Sequence, residues 1–380
     1  MRIVIAPDSF KGSLSAIEVA EVTATAVGVV FPEAVCQLVP MADGGEGTLE
    51  AMISATNGEV FEQSVCGPLC RPLRAKYGVL GDGQTAVIEL AEAAGLTLVD
   101  ERARNPLKTS TFGVGELMLA ALDKGYRSMV ISLGGSATND GGLGLLAALG
   151  ALFFDAEHQL VDPTGAGMTK VRQMDLTRLD ARLGECTIRI ASDVDNPLTG
   201  ENGASYVFGP QKGASESVVR LLDDGLKNFA SHVEEAIKQP NLANSPGAGA
   251  AGGAGFALMA IGAQMMSGAQ LVAEACELEA EIQQADLVIT GEGRSDAQTA
   301  HGKVPFHVAA IARKYQVPAI LLSGSYDASC TVLADHFVSL HAAVTGPTTL
   351  EQAMNNARQN LFAAALNVAK TVRLCIANQS

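Results

Sequence analysis

The sequence predicts an α/β protein. A doubly wound parallel-sheet domain is built from both ends of the chain, and a second, mixed α/β domain is inserted between them. Three observations predict this. Compact apolar runs alternate with helical segments at the start of the chain and again from Asp286 onward, which is the βαβ rhythm of a parallel sheet. Between these stretches come three closely spaced strand-like runs and then strands and helices in mixed order. The length of 380 residues suits two or three domains, at roughly 150 residues each. The expected division is residues 1–62 plus 286–380 for the first domain and 63–285 for the inserted one, with the active site in the cleft between them.

The elements follow in order. Ile3–Ala6 is a short apolar run, as in a strand buried on both faces. Ser15-Ala-Ile-Glu18 spells a capping box, and apolar positions continue to Val30 before Phe31-Pro32 stops the helix. Val35–Val39 is the next strand. The turn Asp43-Gly-Gly-Glu-Gly47 opens a short helix to Ala55. Val60–Val65, Leu73–Leu80 and Thr85–Leu90 read as strands, the last two antiparallel across Gly81-Asp82-Gly83. A helix over Ser110–Lys124 ends at Gly125, a suitable residue for a left-handed cap. Met129–Leu133 is a strand that runs into Gly134–Gly142 and a small-residue helix. Thr187–Ser192 is a strand, and Ser215–Lys238 and Ala254–Met266 read as helices. Strands at Leu287–Thr290, Ala319–Leu322 and Phe337–Leu340 then alternate with a helix at Pro305–Tyr315. A long helix from the capping box Thr349-Leu-Glu-Gln352 runs towards Cys375.

Composition narrows the function. Apolar residues make up 48% of the chain and charged residues 18%, ample for a core, which excludes a disordered chain. The net charge of −15 argues against a nucleic-acid partner, which needs a basic footprint. Trp is absent and Tyr and Phe number 5 and 12, so stacking platforms for bases are scarce. The seven cysteines form no CxxC and the six histidines no zinc spacing. They read as reduced thiols of a cytoplasmic protein, with Cys66 and Cys70 as packed thiols rather than a redox pair. The apolar run before Asp8 is too short for a signal peptide, and Pro246–Ala269 is broken by glycines, so no membrane partner is expected. A monomer or small homo-oligomer fits.

Four apolar strands run directly into glycine or carboxylate: Ile3–Ala6 into Asp8, Met129–Leu133 into Gly134-Gly135-Ser136, Thr187–Ser192 into Asp193, and Leu287–Thr290 into Gly291-Glu292-Gly293-Arg294. Open α/β sheets bind ligands at the carboxyl ends of their strands. One such turn is equally an ordinary capped turn; four in one chain favour a shared site. A Walker loop is excluded because position 297, where its first glycine would fall before Gly302-Lys303, is Ala. Gly247-Ala-Gly249-Ala-Ala-Gly252 spells GxGxxG but follows no strand. It reads either as phosphate-binding N–H groups at a helix start or as close packing of small residues. Lys11, Lys212 and Lys303 each adjoin a glycine, which suggests contacts to anions. His301 and His307 flank Lys303 and read as satisfied surface or core residues. Asp8, Asp43, Asp193, Asp195 and Asp296 lie in or beside glycine turns. Acids in a phosphate site hold Mg²⁺ or take a hydroxyl proton, or they simply cap helices.

Read together, Ile5–Lys11, Ala42–Thr48, Gly134–Gly142, Asp193–Pro197, Phe208–Ala214, Pro246–Gly253, Ile289–Arg294 with Asp296, and Gly302-Lys303 resemble the type-1 glycerate kinase family. The resemblance covers Met1 to about Tyr315. It implies a Rossmann-like domain, a second α/β domain, and ATP-dependent phosphorylation of D-glycerate with Mg²⁺, the glycerate 2-kinase kind giving 2-phosphoglycerate. His307 and Cys70 stand where the family usually has glycine, and the tail from Ser325 is only weakly similar. On this reading Asp193, Lys11 and Arg294 are catalytic, with Asp193 as proton acceptor or Mg²⁺ ligand. Asp8, Ser9, Asp43, Glu46 and Asp296 bind substrate. Gly134, Gly135, Ser136, Asn196, Gln211, Lys212, Gly252, Gly253 and Lys303 bind nucleotide phosphates.

The alternatives are glycerate 3-kinase regiochemistry, a dinucleotide-dependent hydroxy-acid oxidoreductase and a non-catalytic sensor of acidic metabolites. The oxidoreductase would need GxGxxG directly after a first strand, and the sensor an attached DNA-binding or membrane segment; neither is found. Because candidate residues fall in both the end segments and the inserted one, an open apo form that closes on both substrates is expected. Small-angle scattering with and without glycerate and a non-hydrolysable ATP analogue checks this.

Overall fold

The computed structural model describes residues 1–297, 299, 302–329 and 331–377. His301 and Cys330 lie outside the described residues. The chain divides into two compact units. The first comprises Met1–Asp43, Glu50–Asn57 and Ala269–Ser380, and the second Gly44–Leu49 and Gly58–Gly268.

The first unit is built on a five-stranded, all-parallel sheet. Its order is Ser339–Ala342, Ala319–Ser323, Leu287–Thr290, Arg2–Ile5, Val35–Leu38. Apolar side chains line both faces. Ile3, Ile5, Leu287, Ile289, Ile320 and Leu322 join one core with the helices Ala16–Val30 and Ala357–Ala377. Val4, Val288 and Leu321 alternate with them and are fully buried as well. Period-two burial on both faces is the reason these strands read as unbroken apolar runs. In the first helix Ser15 Oγ accepts the Glu18 N–H while the Glu18 carboxylate accepts the Ser15 N–H. Ala357, Leu361, Ala364, Ala365, Val368 and Ala369 form the buried stripe of the last helix, at the spacing of one helical face. From Arg2–Ile5 the chain crosses over to one side. From Leu287–Thr290 it goes to the other. These two neighbours therefore flank the topological switch point, where α/β sheets form their ligand crevice.

The second unit carries a six-stranded mixed sheet, ordered Gln264–Met266, Thr187–Ala191, Ser128–Ser132, Thr85–Glu89, Pro72–Val79, Glu59–Cys66. The last three are antiparallel neighbours, and the remaining pairings are parallel. Glu89, Ser132 and Ala191 are register partners. Three adjacent parallel strands thus end at one level.

Several elements differ from the sequence expectations. The helix expected over Ala254–Met266 ends at Ala260, and Gln264–Met266 is instead an edge strand beside Thr187–Ala191. Gly262 at φ +92° donates its N–H to Met259 O, and the Ala263 N–H reaches Leu258 O. This is the left-handed Schellman stop. Gly125 stops the Phe112–Asp123 helix the same way, as expected. The terminal helix is two helices, Leu350–Asn355 and Ala357–Ala377, which meet at Asn356. Helices at Gly268–Ala275 and Leu278–Gln283 are additional. The strand expected at Phe337–Leu340 lies at Ser339–Ala342. Cys70 has φ +53° in the tight turn after Glu59–Cys66, the left-handed region that favours glycine. No helix among the described residues is long and apolar enough to cross a membrane.

Candidate functional site

In the first unit the site grows from the switch point. The Ala6 N–H bonds Ile289 O, the Asp8 N–H bonds Gly291 O, and Thr290 Oγ1 donates to Ala6 O at 2.7 Å. These bonds hold the two strand ends together, so Asp8 and Glu292 emerge side by side. Burial raises the Asp8 carboxyl to about 8, and the neighbouring charges of Asp43 and Glu292 push the same way against the stabilising Ser9 N–H bond. The Ser9 N–H donates to Asp8 Oδ1 at 2.6 Å. Three carboxylates packed this closely disfavour one another's charge. Glu292 is buried and also raised, by burial first, although it accepts from Ser295 Oγ and Thr299 Oγ1 and faces Lys303 Nζ at 3.8 Å.

Lys303 is the cation that faces this acidic cluster, and two more lie on the neighbouring loops. Lys11 is exposed, and its backbone lies against Gly293, where a Cβ would stand 3.3 Å from the Lys11 nitrogen. Arg294 is 72% exposed and pairs loosely with Asp296, at 3.7 Å. Asp8 thus has Ser9, Asp43 and Glu292 as its neighbours, and Glu292 has Lys303 and Asp296 as its own, while Lys11 and Arg294 lie on the loops that carry the two strand ends.

In the second unit the Gly134-Gly135-Ser136 turn follows the Ser128–Ser132 strand. Ser136 Oγ accepts from Lys212 Nζ at 2.8 Å, and Thr138 O accepts from the same nitrogen at 2.6 Å. Lys212 is 2% exposed. Its burial lowers its pKa to about 7, against the pull of Asp140. Asp140 is itself fully buried and accepts four bonds: from the N–H groups of Thr111, Gly142 and Gly144, and from Thr111 Oγ1. The result is a polar loop held from beneath by one buried cation and one buried carboxylate. Lys212 therefore builds the Ser136 turn rather than standing in solvent.

The remaining glycines pack closely. A Cβ at Gly252, φ +68°, would meet Thr138 O at 2.0 Å, and one at Gly253, φ +98°, would meet Gly141 Cα at 2.6 Å. Both glycines are buried. Asn196 donates its side chain to Asn202 O, and its carbonyl accepts from Gly249. Gln211 is exposed on the Pro210–Lys212 turn. Asp193 follows the Thr187–Ala191 strand, is exposed, and accepts the Gly268 N–H at 2.9 Å. Glu46 is exposed, and its Oε1 lies 2.7 Å from where a Gly135 Cβ would stand.

Among the buried carboxylates that were not sequence candidates, two stand at strand ends: Glu292, inside the Gly-Glu-Gly-Arg turn, and Glu89, at the end of Thr85–Glu89. The signal for both is the same: an acid placed directly after an apolar strand.

Comparison with known proteins completes the picture. The glycerate kinase family model matches residues 3–373. The chain is 46% identical to the glycerate 2-kinase of Escherichia coli K12, over the whole of both proteins. It is 46% identical to a glycerate kinase of Bacillus subtilis 168, over 98% of each. A crystal structure from Salmonella typhimurium LT2, provisionally described as glycerate kinase 2, superposes with a TM-score of 0.88 at 45% identity, over 98% of both chains. With the family model spanning almost the whole chain and full-length relatives at 46% identity, the protein is a kinase, and the chain belongs to the glycerate kinase family.

Proposed function

We propose that this kinase transfers the γ-phosphoryl group of ATP to the 2-hydroxyl of D-glycerate, giving ADP and 2-phosphoglycerate, in the cytoplasm. The observation that carries the reading is the convergence of Asp8, Asp43, Glu292 and Lys303 at the switch point of a parallel sheet, in a chain 46% identical throughout to a glycerate 2-kinase. Phosphoryl transfer is mostly positioning and electrostatics, and the residues divide accordingly. Lys11 and Arg294 take the glycerate carboxylate, the Arg fork in bidentate fashion. Lys303 and the Gly134-Gly135-Ser136 turn take phosphate oxygens. Asp193 accepts the hydroxyl proton or helps to hold Mg²⁺.

Bound Mg²⁺ supplies neutralisation of the charge that develops on the transferring group. Among the described residues no three His, Cys, Asp or Glu side chains are grouped as a metal cage. That fits Mg²⁺, which is held by one or two carboxylates together with substrate phosphates and waters. Asp193, an exposed carboxylate at a strand end, offers the hard oxygen such an ion prefers.

The test is incubation with D-glycerate, ATP and Mg²⁺, followed by ADP release and phosphorus NMR of the product. ADP with 2-phosphoglycerate is expected. Only 3-phosphoglycerate would move the transfer to the other hydroxyl, and no ADP above background would end the reading. EDTA should abolish turnover and added Mg²⁺ restore it.

A further inference from the structure

Glu89 lies outside every role given so far, yet it is 6% exposed and ends a strand whose other residues are all buried. Its two carboxylate oxygens accept different backbone donors. Oε1 takes the Gly47 N–H at 3.2 Å, and Oε2 takes the Leu49 N–H at 3.1 Å. The first donor belongs to the turn that carries Glu46, and the second to the first turn of the helix Thr48–Thr56 that this turn opens. The other side of that turn is fixed by the two neighbouring strands. The Gly134 N–H donates to Gly44 O at 3.0 Å, and a Cβ at Gly134 would collide with Gly45 Cα at 2.3 Å. A Cβ at Gly44, φ +87°, would collide with Ala191 O at 2.5 Å. Three adjacent strand ends therefore grip one turn: Glu89 by a carboxylate, Gly134 by an N–H, and Ala191 by backbone contact two residues before Asp193.

We infer that Glu89 is a positioning residue. Its ionised carboxylate holds the Gly44–Leu49 turn so that Glu46 and the Gly134-Gly135 turn keep the spacing that turnover needs. The inference rests on the proposed kinase roles of Glu46 and Gly134-Gly135. Only the ionised form accepts both N–H groups on equal terms; a protonated carboxyl turns one oxygen into a donor facing a donor. Burial raises the Glu89 pKa to about 7, opposed by the Leu49 and Gly47 N–H groups and aided by the nearby charges of Glu92 and Glu46. The grip consequently weakens as pH falls through neutrality.

Two measurements on the full-length protein test this. Amide hydrogen exchange at Gly47 and Leu49 should rise at least about tenfold in Glu89→Gln, beyond any global change. In the same variant kcat should fall about tenfold or more with a smaller change in the KM for either substrate. The wild-type decline of kcat between pH 7.5 and pH 6 should also flatten. Glu89→Asp keeps the charge but is one methylene too short to span both N–H groups; it should lose rate yet retain the decline with pH, and it serves if the Gln variant does not fold. Unchanged exchange, or raised exchange with unaltered kcat and pH profile, would overturn the inference. If the wild-type protein turns over no glycerate, the functional reading fails, while the exchange data still decide whether Glu89 holds the turn.

Discussion

At the scale of single residues, the two units place titratable groups in opposite situations. Asp8 is a carboxyl raised to about 8. Between about pH 4 and pH 8 the folded protein keeps a proton on Asp8 that the unfolded chain has released. Stability therefore falls as pH rises through this window. Asp8→Asn removes that linkage. Its melting temperature should drop less between pH 5 and pH 8 than that of the wild type, and parallel profiles would refute the assignment. Lys212, lowered to about 7 by burial, acts in its own window. From about pH 7 to pH 10.5 the unfolded chain holds the proton that the folded one lacks, so stability rises with pH there. Asp193 makes a different demand. Asparagine at this position keeps the Oδ1 acceptor for the Gly268 N–H, so the fold should survive Asp193→Asn. As proton acceptor or metal ligand, its loss should lower kcat by roughly 10²-fold or more. A near-wild-type rate in the folded variant would remove Asp193 from the proposed chemistry. In the sequence Asp8 and Asp193 were visible because each follows a short apolar run. The burial of Lys212 was not visible. Its partners Ser136 and Thr138 lie 76 and 74 residues away, and a Lys beside a glycine reads as an exposed loop cation until tertiary structure covers it.

At the scale of elements, the glycine-rich turns decide how closely the strand ends and loops approach. Gly252 and Gly83 separate two costs. Both have positive φ, +68° and +67°, but a Cβ at Gly252 would meet Thr138 O at 2.0 Å, whereas one at Gly83 would meet nothing within 4 Å. Alanine at Gly83 should cost only the left-handed strain, about 1 kcal/mol. Alanine at Gly252 adds a clash with backbone oxygen that no side chain can relieve, and should cost at least about 3 kcal/mol. Both substitutions fall in the same unit, so paired denaturant titrations compare them directly; equal losses would show that the Thr138 contact is not tight. Most elements were legible because their stops and starts are local. The Ser15 and Thr349 capping boxes close as their sequences specify, and Gly125 caps its helix. The helix expected over Ala254–Met266 failed for an equally local reason. Gly262 takes the left-handed conformation, and the small apolar residues on either side of it suit a strand or a helix equally well. What no local pattern could supply is the strand order, and with it the pairing of Asp8 with Glu292 across 284 residues.

At the scale of the whole molecule, the net charge of −15 sets how the substrates arrive. Glycerate and nucleotide are anions, so the long-range field of the protein repels both, while the exposed Lys11 and Arg294 attract them only at short range. The two effects screen differently. At about 0.01 M ionic strength the Debye length is roughly 30 Å and the distant negative charges all contribute; at about 0.1 M it is roughly 10 Å and mainly the local cations are felt. Added KCl should first relieve the repulsion and only later weaken the attraction. The prediction is therefore a kcat/KM for glycerate that rises as ionic strength goes from about 0.01 to 0.1 M, at fixed free Mg²⁺, and then levels or declines. The chemical step occurs among groups already in contact, so kcat should stay nearly constant throughout. A kcat/KM that falls from the lowest salt onward would mean that the local cations outweigh the net charge even at long range. The Arg294→Lys variant gives the internal control. It keeps the charge and loses the fork, so its KM for glycerate should rise while its salt dependence stays that of the wild type.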